Sequence, residues 1–162
     1  MKSLIRLYSQ FSKGASCLQS PFLLAVRIYW GYQFALTGWG HLHGLPKLVS
    51  YFTSLNIPLP GLNAPFISAL EFFGGILMVL GLFSRPIAFL LACDMLVAFW
   101  VGDHATFVSF FSDFISGAGK FYLADPYTFL FASLMILIFG AGLFSLDEVL
   151  ARKLKLKKTA EQ

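Results

Sequence analysis

The chain has 162 residues, the length of one domain, with 57% apolar residues, only 12% charged residues and a net charge of +4. A soluble domain of this size carries about a quarter charged residues, so the 20 charges here (12 basic, 8 acidic) cannot cover a surface exposed to water, and lipid must cover much of it. The positive balance does not mark a nucleic-acid binder, because most basic residues flank apolar spans instead of forming one patch.

Residues 1–20 carry Lys2, Arg6 and Lys13 but no apolar core ending in a small-residue cleavage site, so they are read as an amphipathic cytoplasmic segment and not a cleaved signal peptide. About 20 residues at 1.5 Å each cross the hydrocarbon core. Four stretches have that length, roughly 21–42, 64–83, 86–103 and 126–144, and predict an all-α, four-helix transmembrane bundle over 21–145. Pro21, Pro65, Pro86 and Pro126 stand at the four starts, where a missing N–H costs least.

Between the first two spans, Leu45, Leu48, Val49, Phe52 and Leu55 follow helical spacing opposite Lys47, Ser50, Thr53 and Ser54, until Ile57-Pro58-Leu59-Pro60-Gly61 breaks the helix. Between the third and fourth, Phe107, Phe110, Phe111, Phe114 and Ile115 repeat the pattern, and the two stripes are expected to roof one end of the bundle. After the fourth span, Ser145-Leu146-Asp147-Glu148 reads as a capping box that starts a basic amphipathic tail over 146–162, suited to anionic lipid.

Loop charge sets the expected orientation. With both termini inside, the cytoplasmic parts hold Lys2, Arg6, Lys13, Arg85, Arg152, Lys153, Lys155, Lys157 and Lys158, against Lys47 and Lys120 outside. Nine against two places the chain across a plasma membrane with N- and C-termini in the cytoplasm. Cys17 and Cys93 form no CxxC pair and fall at different depths, so no disulfide framework is expected.

Arg27, Glu71 and Asp94 lie inside the predicted spans, where a charge costs about 2.5–3.5 kcal/mol and normally faces the protein interior and pairs. Counted from the span starts, Arg27 lies about 9 Å and Asp94 about 12 Å from the same side, while Glu71 enters about 10 Å from the opposite one. The three are therefore expected to form a ladder. Gly31, Ala35 and Gly38 lie on the Arg27 side of the first span, and Gly74 and Gly75 follow Glu71, which allows close helix approach there. Three ionised groups would leave one net negative charge in a low-dielectric interior, and the least costly remedy is for Glu71 or Asp94 to hold a proton. Such a set suits quinone or proton handling; it also suits an ion-paired clamp that only fixes packing.

His41 falls near the Arg27 face and extends the polar line outward, with His43 beside it and His104 at the end of the third span. Their spacing is no recognised metal motif, so no metal is expected, and interfacial hydrogen bonding is the plainer role. Trp39, with Trp30, Trp100, Tyr29 and Tyr32, suits packing or interface anchoring before ligand contact.

The run Gly38-Trp39-Gly40-His41-Leu42, the Ile57-Pro58-Leu59-Pro60 break, the motif formed by Glu71, Gly74, Gly75, Gly81 and Arg85, then Asp94-Met95-Leu96-Val97-Ala98, Phe121-Tyr122-Leu123-Ala124-Asp125-Pro126 and Ser145-Leu146-Asp147 together resemble the DoxX family of small bacterial and archaeal membrane proteins. The resemblance runs from about Arg27 to Leu150. It implies a four-helix membrane fold and a redox role, since the family takes in a subunit of an archaeal thiosulfate:quinone oxidoreductase and a partner in a mycobacterial membrane oxidoreductase complex. The family's recurrent charged positions fall on Arg27, Glu71, Arg85 and Asp94. At position 41 this chain has His where the family pattern has Lys, which replaces a permanent cation by a titratable group.

The resulting expectation is a multipass inner-membrane subunit of a quinone-linked oxidoreductase. Arg27, Glu71 and Asp94 would bind a quinone head group or relay its proton, and His41, His104, Trp39 and Arg85 are the candidate cofactor contacts. No dinucleotide fingerprint, CxxC or haem motif supplies electrons, so a soluble or membrane oxidoreductase partner is implied beside the bilayer; a homo-oligomer stays open. Two other classes stand beside it: a non-catalytic scaffold that docks a soluble oxidoreductase, and a small-solute or proton transporter, which no inverted repeat or pair of interrupted spans supports.

Overall fold

A computed structural model describes residues 2–160, without the side chains of residues 2, 3, 114, 116 and 155–160. The sequence assignments of Lys2, Phe114, Lys155, Lys157 and Lys158 to amphipathic or basic faces therefore lie outside the described side chains. The described chain is helical, in the order α1 (Lys2–Cys17), α2 (Gln19–His43), α3 (Leu45–Ser54), α4 (Pro60–Leu80), α5 (Ser84–Gly102), α6 (His104–Ser112), α7 (Phe114–Leu123), α8 (Asp125–Phe139) and α9 (Leu146–Ala160).

Helices α4 and α5 are each long and apolar enough to cross a membrane, and residues 117–123 with α8 qualify as one span bent by 79°. With 25 residues, about 37 Å, α2 has the length but not the apolarity, since Arg27, Gln33 and several Tyr and Trp interrupt it. Of the four expected spans, two thus qualify alone and a third as a bent pair.

Two boundaries correct the sequence reading. The opener of α4 is Pro60 and not Pro65, which lies inside the helix. Pro60 takes the first-turn site because Leu59 before it leaves the helical region with φ 49°. The fourth span stops at Phe139 instead of 144, because Gly140 at φ 78° and Gly142 at φ 76° turn the chain. The second amphipathic stripe is also two helices, α6 and α7, parted at Asp113.

Small residues set the central packing. A Cβ on Gly75 would come within 2.5 Å of Ala35 N and Gly31 O, and one on Gly38 would overlap Phe72 N and Ser68 O. Backbones of antiparallel α2 and α4 therefore touch along the Gly31, Ala35, Gly38 face, as the glycine pattern suggested. Gly74 faces α5, where its Cβ would lie 3.3 Å from Leu91. On the other side α5 packs on α8, and a cluster at their α3-proximal end stacks Phe99 on Phe121 at 4.5 Å, with Phe110 at 4.6 Å from Phe121. Phe34, Met78, Ala88, Leu91 and Ile136 are fully buried in the middle of the bundle.

Candidate functional site

The close approach of α2 and α4 decides which charges meet. With Gly38 seated between Ser68 and Phe72, His41 one turn further along α2 comes level with Glu71. His41 Nδ1 lies 2.6 Å from Glu71 Oε2, within the range of a charge-assisted bond in which the ring N–H donates to the carboxylate. Glu71 is buried, while the His41 side chain is 37% exposed. Asp94 is 8% exposed, and its Oδ2 has no hydrogen-bond partner among the described residues. The charges acting on it are those of Glu71 and His41.

These three side chains form the polar end of a cavity of about 590 Å³. Its walls are apolar, with Phe66 and Ile67 from α4 and Met95, Val97 and Val101 from α5. The roof is α3 and the linker after it, through Leu48, Tyr51, Phe52, Ile57 and Pro58. Tyr51 reaches across to α5, its hydroxyl 3.4 Å from where a Cβ on Gly102 would stand. The linker is held by Asn63, whose side-chain amide donates to Pro58 O at 2.6 Å.

Arg27 is not part of this group, and the three-charge ladder is corrected. Arg27 is fully buried, donates from Nη2 to Phe144 O, and packs so closely on Gly81 that a Cβ there would overlap its guanidinium. The charge acting on it is Asp147. That carboxylate accepts the Phe83 and Ser84 N–H groups at 2.8 and 2.9 Å, capping α5, while the Asp147 N–H donates to Gly81 O at 2.9 Å. The physical reason is level: α2 starts at Gln19, beyond the α4–α5 turn, so Arg27 sits beside Gly81 at the end of the bundle. Asp94 lies ten residues, about 15 Å, further along α5 from Ser84.

The other candidates also stand apart from the cavity. His104 is exposed and its Nδ1 pairs with Trp100 O at 3.1 Å. Trp39 is about half exposed, with its ring tilted against those of His43 at 4.2 Å and Phe72 at 5.4 Å. Arg85 is exposed and donates to Ile138 O at 3.4 Å, near the carboxyl end of α8. Among the described residues no group of three or more His, Cys, Asp or Glu is placed to hold a metal.

Sequence reasoning missed Tyr51 as a wall of the cavity and Asp147 as the cap of α5. The first lies just beside the α3 apolar stripe. The second is hidden in the capping box, of which the structure shows the Glu148 N–H to Ser145 Oγ half at 3.2 Å, while Glu148 itself turns to Arg152 at 2.8 Å.

The DoxX family model matches residues 22–104, which hold α2 from its second turn through α5 and all three cavity charges. The inner membrane protein YqjF of Escherichia coli (strain K12) is 28% identical over 137 residues, covering 84% of this chain and 97% of its own length. The inner membrane protein YphA of the same organism is 31% identical over 135 residues, covering 77% of this chain and 87% of its own. No solved structure gives a significant match. With the family model spanning half of the chain and a relative above 30% identity over most of it, this membrane protein belongs to the DoxX family.

Proposed function

We propose that the chain is a multipass subunit of a redox system in the inner membrane of a bacterium, and that the His41, Glu71, Asp94 cavity receives a quinone head group. The observation that carries this reading is Asp94 Oδ2, buried, without a hydrogen-bond partner among the described residues and at the polar end of an apolar cavity large enough for a ring and part of a tail. A quinone, when bound, takes up two electrons and two protons at its carbonyl oxygens, and the electrons must come from a partner oxidoreductase.

The residues divide the work. Asp94 in its protonated form offers a hydrogen bond from Oδ2 to a carbonyl oxygen. His41 orients Glu71 through Nδ1, which leaves Glu71 as the neighbouring acceptor for a proton. Phe52, Phe66 and Ile67 exclude water and present flat apolar contact. Arg27 takes no part; with Phe144 and Asp147 it fastens the other end.

Across the membrane, α2, α4, α5 and α8 with the end of α7 make four crossings, with α3 outside and both termini in the cytoplasm, as the nine-to-two bias of basic residues favours.

The test is copurification. The chain is isolated in mild detergent and its bound lipids are extracted and analysed for quinone. Quinone is expected with the wild type and about tenfold less with Asp94→Leu, the loss of one buried hydrogen bond. Wild-type protein free of quinone, at full folding yield, overturns the reading in favour of the scaffold.

A further inference from the structure

The two ends of the cavity are bounded differently. Its lining stops at Glu71 on α4 and at Asp94 on α5: every lining residue of α4 precedes Glu71, and every one of α5 follows Asp94. On the α3 side, His41 is more than a third exposed. On the α9 side the next layer is Phe34, Met78 and Leu91, all with no exposed surface. Gly74 and Leu91 are in such contact that even an added methyl would stand at 3.3 Å. Ala88, one turn further, is buried as well. From Asp94 to the start of α5 is ten residues, about 15 Å, and the buried side chains Phe34, Met78, Leu91 and Ala88 of this layer carry no titratable group; Cys93 beside Asp94 is half-buried, and the hydroxyls of Ser84 and Ser133 are buried without a partner among the described residues. Arg27 and Asp147 lie beyond it, at the far end.

We infer that this site exchanges protons with the α3 side of the membrane alone, and that His41 is the residue that carries them. The inference rests on the proton-handling reading of the site and adds its sidedness and its shuttle. His41 links an exposed surface to two buried carboxyls: its Nδ1 bonds Glu71, and more than a third of its side chain is exposed. An incoming proton binds at Nε2 while the Nδ1 proton passes to Glu71 Oε2. The step leaves the ring as the neutral Nε2–H tautomer and Glu71 protonated, and the ring regains its Nδ1–H form by releasing the Nε2 proton to the exposed side as Glu71 passes a proton back, or by rotating. The groups facing the imidazole are Glu71 from α4 and, through it, Asp94 from α5; the roof presents Tyr51, Asn56 and apolar side chains to the cavity. With α3 outside, protons taken up or released here belong to the outer compartment.

The test uses the full chain in liposomes, with orientation read from protease access to the α9 tail. An impermeant buffer jumps the pH on one face, and the carboxyl infrared band is followed in time without added quinone. The part of the band that is absent in Asp94→Asn is expected to respond promptly to a jump on the α3 face and not to one on the α9 face. His41→Asn, which keeps polarity but cannot shuttle, is expected to slow the response about 100-fold. Equal response from both faces, or an unchanged rate in folded His41→Asn, overturns the inference. If His41→Asn does not fold, the wild-type sidedness decides alone. Because no quinone is present, a failure here is separate from failure of quinone to copurify.

Discussion

Arg27 and His41 occupy one helix, fourteen residues or about 21 Å apart, and serve opposite ends of the molecule. His41 meets a carboxylate. Arg27 meets a carbonyl, a glycine and, at longer range, Asp147. Its Nε and Nη1 find no partner among the described residues, so its burial is costly and tolerated for the corner it fills. Arg27→Ala is expected to lower stability by about 3 kcal/mol, from the cavity and the orphaned Phe144 carbonyl, measured as a lower unfolding midpoint in detergent. Quinone content is expected to stay within about threefold of wild type. A loss as large as that of Asp94→Leu would return Arg27 to the site.

Among the helices, the α2–α4 contact sets the geometry of the site. Backbone touches backbone at Gly31, Gly38 and Gly75, so α2 cannot slide or rotate without lifting off, and this fixes the level at which His41 meets Glu71. Gly38→Ala must push Phe72 and Ser68 backbone away, at about 1–3 kcal/mol. It should also weaken the His41–Glu71 bond, read as altered infrared absorption of the Glu71 carboxylate. Gly40→Ala, with nothing within 4 Å of the new methyl, is the matched control and should be neutral or slightly stabilising. Equal effects of the two substitutions would mean the crossing is looser than drawn. The helices α3 and α6 behave differently: they bury no residue fully, and they cover an end instead of crossing the bundle.

For the molecule as a whole, the polarity of the two ends follows from these contacts. One end holds the cavity and its aromatic roof; the other holds the Arg27, Gly81, Asp147 corner and the basic α9. Exposed Cys17 and exposed Thr53 mark the two sides. In cells with a permeabilised outer envelope, an impermeant maleimide is expected to label Thr53→Cys, in a background lacking the native cysteines, and to label wild-type Cys17 only after the inner membrane is lysed. Labelling of Cys17 in intact cells would invert the topology, and with it the compartment that the His41 shuttle faces.

Sequence alone determined the membrane class, the family and the approximate helix positions. Each of these is a property of contiguous residues: apolar runs, prolines at helix starts, loop charge and the glycine spacing beside Glu71. It also marked every charge that turns out to be buried. Tertiary structure decided which of those charges meet. Depth counted from a span's start assumes that all helices begin at one level, and α2 begins beyond the α4–α5 turn, so Arg27 fell out of reach of Asp94. The partner of Glu71 and the roof over Asp94 depend on how two helices touch and where α3 folds back, and neither is encoded in any one stretch of chain.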